Sequence, residues 1–312
     1  YGIYGMLSER IIYRRHINMD ALMQLAARPC FEELQTEVWG SCLAVHDLPI
    51  EVYHSQPELS SSNERDRHKS LDLYRARHVE QTMKGLSTAS TELGSDIHEW
   101  WENKDDNLSW MTRAPADTLT PTGQIGKKAK TWAAENEVTG RLVSEGHYWK
   151  VLRIIAALRA NARAMELLEQ VESAEVSLFW EHINGMLLRT RYDSSIGGGT
   201  WLDLKTSFCD DIDKDFPNSV HKFGYGRQEA FYRLAQEAAG MEANGLIFVV
   251  VQTQEPFQVR VRKLPEDYVS ACRRSVLRSL DDIHLRTELD HWASSAAEEV
   301  QELQMPLWTY PE

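Results

Sequence analysis

From residue 145 onward the apolar positions fall into regular periods. Val151, Ile154, Ile155, Leu158, Ala162 and Met165 recur at helical spacing, which predicts one long amphipathic helix from Glu145 to about Gln170. Three period-two segments come next. In Ala174 to His182, Val176, Leu178 and Trp180 share one face, and Glu175, Ser177, Phe179 and Glu181 share the other. Asn184-Gly185 predicts a hairpin turn into a second strand, Met186 to Asp193, with Arg189, Arg191 and Asp193 on one face. After Ser194 to Thr200, a glycine-rich flexible turn, a third strand over Trp201 to Thr206 places Trp201, Asp203 and Lys205 together. A helix over about Val220 to Gly240, strands at Leu246 to Gln252 and Phe257 to Lys263, and a helix from Pro265 to about Leu303 complete a mixed α/β module.

The upstream half is less regular. The first 50 residues carry helical spacing at Leu22, Met23 and Leu25, and Ser55 to Arg67 reads as a polar loop or boundary whose Ser60 to Ser62 can cap the succeeding element. Helices are expected over Ser70 to Met83 and again after Gly94, with Ser95 or Asp96 as its N-cap and Ile97-His98-Glu99-Trp100-Trp101 within it. Thr118 to Gly126 is turn-rich. The organisation expected is a helical N-terminal segment over 1–50, then one domain over 51–312 with its core at about 145–263.

Composition changes this picture little. With 42% apolar and 26% charged residues the chain has an ordinary globular balance. The longest apolar run, Leu246 to Val251, is too short for a membrane span, and no apolar stretch succeeds the early Arg10, Arg14 and Arg15. A cytoplasmic protein with no membrane partner and no signal peptide is expected. Cys30, Cys42, Cys209 and Cys272 show no paired spacing, which argues against a zinc ribbon, a disulfide scaffold or a four-cysteine cluster. The net charge of −13 disfavours nonspecific wrapping of nucleic acid, but carboxylate clusters that bind cations reverse the local field.

The chemistry concentrates in Asp193 and Asp203-Leu204-Lys205. Asp203 and Lys205 leave one strand on the same face, and Asp193 can meet Asp203 across the hairpin. Two such carboxylates suit a hard cation, Mg²⁺ or Mn²⁺, and a lysine beside it can hold or help deprotonate a water and offset phosphate charge. Glu175 offers a third acidic group, with Glu181 as its rival on that face. An isolated Asp-x-Lys is usually an exposed ion pair of little worth. The preceding Asp, the strand pattern and the flanking helices together favour a site. Arg189 and Arg191 would grip a phosphate or neutralise the carboxylates, and Trp100, Trp101, Trp180 and Trp292 read as core or interface.

The segment Glu175 to Tyr232 resembles the PD-(D/E)xK nuclease superfamily, specifically its exonuclease VIII (RecE-type) branch from phage and prophage recombination. The resemblance rests on Glu175, Ser177, Phe179 and Trp180, on Arg191 and Asp193, on Asp203 to Thr206, and on the Gln228–Tyr232 pair. It extends more loosely to Tyr53–Ser62, Gly94–His98, Thr122–Trp132 and Met305–Trp308, and departs where Tyr192 stands in place of a proline before Asp193. It implies a restriction-endonuclease-like core, a mixed central sheet flanked by helices. It also implies a Mg²⁺-dependent (or Mn²⁺-dependent) exonuclease that degrades linear duplex DNA 5′ to 3′, leaving a 3′ strand for a single-strand annealing protein. By matching position, Asp193, Asp203, Leu204 and His98 form the metal-binding set and Lys205 is the catalytic lysine. Asp193, Asp203 and Glu175 join it as catalytic acids, and Gln228 and Tyr232 support the site or contact DNA. A ring-shaped homo-oligomer is implied too. The alternatives are a structure-specific or restriction-like endonuclease, and a non-catalytic DNA-binding subunit.

Overall fold

The computed structural model describes residues 19–83 and 89–293. In chain order the first half runs α1 (Met19–Ala26), β1 (Thr36–Trp39), β2 (Cys42–Val45), α2 (Ile50–Ser55), α3 (Ser61–Lys69), α4 (Leu71–Tyr74), a π-helical turn (Arg75–Val79), α5 (Ala89–Asn103), β3 (Met111–Arg113), α6 (Lys127–Glu135) and β4 (Arg141–Val143). The second half runs α7 (Glu145–Ala160), α8 (Ala162–Glu169), β5 (Ser173–Ala174), β6 (Ser177–Glu181), β7 (Leu187–Arg191), β8 (Ser194–Ser195), β9 (Trp201–Ser207), α9 (Ile212–Phe223), α10 (Tyr225–Ala238), β10 (Leu246–Gln252), β11 (Val259–Arg262) and α11 (Glu266–Glu288). No helix among the described residues is long and apolar enough to cross a membrane.

The strands form an antiparallel sheet ordered β1-β2-β6-β7, a mixed sheet ordered β11-β10-β9-β8-β5, and the small parallel pair β3-β4. Every residue of β10 is buried. Leu246, Phe248 and Val250 face the core shared with α10 and α11, and Ile247, Val249 and Val251 face the core shared with α5 and α7. Burial on both faces is what a central parallel strand requires, and it explains the unbroken apolar run of this segment. β9 lies parallel beside it, with Phe248 opposite Asp203 and Val250 opposite Lys205. Trp201 joins the first core, and Leu202 and Leu204 join the second. Asp203 and Lys205 therefore stand on the α10 side, where the pattern of β10 would call for apolar residues.

The expected mixed sheet flanked by helices is present, but several boundaries move. The N-terminal region is not simply helical. β1 and β2 form there, β2 pairs with β6, and Phe31, Leu43, Val45 and Leu48 bury a core around Phe179. These strands are short and lack clean alternation, which hid them behind the α1 spacing. Ser55 to Arg67 is largely helix α3 rather than loop, capped by Ser60 through Asn63. The helix expected to Met83 is only α4 and the π turn.

Gly94 lies inside α5 rather than before it. A Cβ there would stand 3.4 Å from Thr206 Oγ1, an ordinary contact distance, where the helix packs on β9. The long helix from Glu145 breaks at Asn161, whose side chain caps α8 by accepting from the Ala164 amide. Similarly, the helix expected from Val220 is two, α9 and α10, separated by Gly224 in the left-handed region (φ +69°), a conformation cheap only for glycine. Ser194 and Ser195 are strand rather than flexible turn, and α11 ends at Glu288, short of Leu303. Met305–Trp308 lies outside the described residues.

A candidate active site at a bent hairpin

The hairpin that carries the acidic residues changes sheets. Its outer ends, β6 and β7, belong to the antiparallel sheet, and its inner ends, β5 and β8, belong to the mixed one. The crossing occurs at Glu175-Val176 on one strand and Tyr192-Asp193 on the other, where Tyr192 N–H still donates to Val176 O and Glu175 N–H to Asp193 O. Glu175 turns this corner with φ +53°, so it does not lie on the continuous strand face expected for Ala174 to His182. A non-glycine residue in that region costs about 1–2 kcal/mol. Sheet-changing bends are not visible in a period-two pattern, which reads the two pieces as one strand.

Register explains how Asp193 meets Asp203. Ser195 pairs with Trp201 and Ser194 with Leu202, so one further antiparallel step sets Asp193 opposite Asp203. Gly199, in the turn of this ladder, has no room for a Cβ, which would collide with the backbone carbonyl of Glu242. Asp193 Oδ2 accepts from the Leu204 amide at 3.2 Å and faces His98 Nδ1 at 3.5 Å. The ammonium of Lys205 stands 2.6 Å from Asp203 Oδ2 and 5.0 Å from the centre of the Tyr225 ring. The structure thus brings together His98, Asp193, Asp203, Leu204 and Lys205 from three separate segments.

Asp203 is only 1% exposed, and neither of its oxygens accepts a well-angled hydrogen bond. Burial pushes its carboxyl up to about 6; Lys205 and His98 oppose the rise, and Asp193 adds to it. Burial works against the Lys205 ammonium, yet the charges of Asp203 and Asp193 outweigh it and hold the group above its ordinary range. A buried carboxylate with one unpartnered oxygen beside a second carboxylate is what a cation would relieve. Among the described residues, no three His, Cys, Asp or Glu side chains group so as to hold a metal ion by themselves. The donor set nevertheless fits Mg²⁺, which keeps several waters and is commonly held by one or two carboxylates plus substrate phosphate.

The remaining candidates divide. Glu175 ion-pairs with the Nε of Arg191, whose other arm donates to Leu48 O. Arg191 therefore neutralises a site carboxylate rather than standing free for phosphate. Arg189 is buried against the Tyr53 ring and donates to Gln56 O. Glu181 sits at the opposite end of β6, across from Leu187 at the tight turn, so the structure separates it from the site. Tyr232 is buried, with its hydroxyl on Arg191 O, and Gln228 donates to that hydroxyl. Trp100, Trp101 and Trp180 are core, and Trp292 stacks on Tyr74 at 5.3 Å.

Glu102 is a site carboxylate that the sequence pattern alone did not single out. Burial raises it to about 8, helped by the charge and hydrogen-bonding reach of Glu175 and by the charges of Glu99 and Asp193. The signal was available: Glu102 lies four positions after His98 on α5, so both point from one helix face. A separate cavity of about 550 Å³, lined by Asp117, Thr118, Lys127, Lys128, Thr131, Trp132 and Glu135, contains none of these residues.

A family model described as a PDDEXK-like domain of unknown function (DUF3799) matches residues 67–304. By structure, the chain is similar to a crystal structure from Eubacterium rectale named provisionally as an exonuclease, with 17% identity and a TM-score of 0.54, over 84% of this chain and 96% of that one. At that identity the likeness concerns the fold alone. No curated protein matches the chain in sequence.

Proposed function

We propose, from the premise that this chain belongs to the family described as PDDEXK-like domain DUF3799, that it is a metal-dependent nuclease acting on the ends of linear duplex DNA. The observation that carries the reading is Asp203: a buried carboxylate opposite Asp193, with Oδ1 unpartnered and Oδ2 2.6 Å from the Lys205 ammonium. Charge of this kind placed inside a β-sheet costs stability and has no structural use that an apolar residue would not serve better.

In this reading Asp193 and Asp203 hold Mg²⁺ or Mn²⁺, with Leu204 and His98 completing the binding set. The ion supplies activation of the attacking water and stabilisation of charge on the phosphate. Lys205 is protonated at neutral pH and serves as a charged donor that orients the water and the scissile phosphate, rather than as its base. Glu175 and Glu102 set the charge around Asp193, and Gln228 and Tyr232 hold the backbone that presents it. The resemblance to the exonuclease VIII branch supports 5′ to 3′ digestion leaving a 3′ strand for an annealing protein. It supports a homo-oligomeric ring and a cytoplasmic, recombination-linked role as well.

Digestion of a 5′-labelled linear duplex with Mg²⁺, beside a covalently closed circle and Lys205→Ala, tests this reading. Loss of the linear label with circle and variant intact is the expected result. Cutting of the circle replaces it with an endonuclease, and no divalent-dependent cleavage of any DNA leaves a binding role.

A further inference from the structure

A run of rings leads outward from Lys205. Tyr225 carries the Lys205 ammonium over one ring, and Phe223 stacks on Tyr225 at 5.8 Å with planes 27° apart. Tyr225 is anchored from the inside by Phe248, stacked at 5.9 Å, and by Phe216 at 6.0 Å. The outermost ring, Phe223, is 43% exposed. It sits at the C-terminus of α9 on the left-handed Gly224, and Arg65 donates to its carbonyl at 3.1 Å. Lys222 Nζ stands 5.3 Å from the centre of its ring.

Covering such a ring would ordinarily be favourable. Here the ring stays 43% exposed, with the Lys222 ammonium over it and Arg65 bound at the Phe223 carbonyl, in a chain whose overall charge is −13. An aromatic face with flanking cations is the recognition chemistry of an unpaired nucleobase and its phosphate, and every base offers a π-face to it. Steps of 5.0 and 5.8 Å separate Lys205 from Phe223. Because bases along a strand rise ~3.4 Å per step, the ring falls within the first few nucleotides of a strand whose phosphate lies at Lys205.

We propose that Phe223 is a stacking platform for an unpaired nucleobase of the DNA substrate, placed beside the scissile phosphate by the Phe223–Tyr225–Lys205 row. The proposal rests on the nuclease reading and deepens it, because it requires the terminal nucleotides to be unpaired when bound.

The test uses the full chain with Ca²⁺ in place of Mg²⁺ and a linear duplex carrying 2-aminopurine within its terminal nucleotides. Binding to the wild type is expected to quench the probe through ring stacking. Phe223→Ala and Phe223→Leu should lose the quench and bind about tenfold more weakly, whereas Phe223→Trp retains both. The same variants in Mg²⁺ should raise KM more than they lower kcat. The ring is 43% exposed and belongs to no buried core cluster, so Phe223→Leu and Phe223→Trp should melt near the wild type. Retention of quench and affinity by Phe223→Leu would mean that apolar bulk, not a π-face, is used, and would overturn the platform. Cleavage by wild type with all variants indistinguishable overturns it while leaving the nuclease intact. Failure of the wild type to bind or cut any DNA removes both.

Discussion

The Tyr232 hydroxyl donates to the carbonyl oxygen of Arg191 at 2.8 Å, two residues ahead of Asp193. Gln228 completes the chain by donating to that hydroxyl at 3.1 Å, and the Tyr232 ring sits edge-on to Trp201 at 5.4 Å. The pair spaced four apart on α10 thus acts on the backbone at the bend of the hairpin, where Asp193 leaves the strand. Tyr232→Phe removes the donor and keeps the ring. A net hydrogen bond of about 1 kcal/mol should disappear, lowering the melting temperature by about 2–4 °C. The cleavage rate should fall several-fold with KM little changed, and Gln228→Ala should show a weaker version of both. An unchanged melt with abolished cleavage would instead place the hydroxyl on the substrate.

Lys205 has a second consequence beyond chemistry. It is the ion partner of a carboxylate that the fold buries, so Lys205→Met leaves Asp203 unpaired. Cleavage in Mg²⁺ should drop by at least about 100-fold, the usual scale for loss of a group that positions or transfers a proton. Without Lys205 the remaining influences on Asp203 are mostly unfavourable to its charge, and protonation becomes its easiest relief. The variant should therefore lose more stability at pH 8 than at pH 5 when both are melted in chelator. Equal losses at the two pH values would show that removing Lys205 does not change the protonation of Asp203.

The sheet and the placement of its charged residues were legible in the sequence wherever one local period governed. β9 and β10 were readable because both alternate or run apolar within seven residues, and Asp203 with Lys205 stood out against them. What stayed hidden was the corner at Glu175 and Asp193. A bend that passes a hairpin from one sheet to another is set by tertiary packing, and its local mark was a glutamate with positive φ. The breaks at Asn161 and Gly224 were missed for a related reason: apolar spacing continues across them, and only capping chemistry shows where the axis changes. Glu102 lay in plain view four residues from His98, but a helix face has no meaning until its neighbour is known.

Glu102 makes the stability of the metal-free protein fall as pH rises. Its ordinary value is 4.5 and the folded state raises it to about 8, chiefly through burial and then through Glu175. As pH rises above 4.5 the unfolded chain releases this proton while the folded chain keeps it. The folded state then binds more protons, and stability falls until pH passes about 8. Asp203 acts in the same direction between 3.8 and about 6. Glu102→Gln mimics the protonated group and cannot titrate. In chelator, melting temperatures taken from pH 5 to 8 should fall less steeply for the variant, which should be the more stable protein at pH 8. Parallel curves for the two proteins would show that Glu102 is already ionised at neutral pH.

The same raised carboxyls predict proton release when a divalent cation binds. At pH 7 Glu102, near 8, still holds its proton, and it lies close enough to Asp193 and Glu175 to feel any charge placed between Asp193 and Asp203. An added positive charge lowers a neighbouring carboxyl by favouring its ionised form. Calorimetric titration with Mg²⁺ or Mn²⁺ in buffers of different ionisation enthalpy should therefore give heats that track the buffer, with close to one proton released per site at pH 7. At pH 9, where Glu102 is already ionised, the dependence should vanish. Glu102→Gln should bind the cation at pH 7 with little buffer dependence, because the group that would release the proton is gone. Asp203→Asn should instead lose the binding heat itself, since the proposed reading makes Asp203 a ligand rather than a neighbour. Buffer-independent heats in the wild type, with binding intact, would mean that the cation sits away from Glu102 and that the carboxyl on α5 shapes only the empty fold.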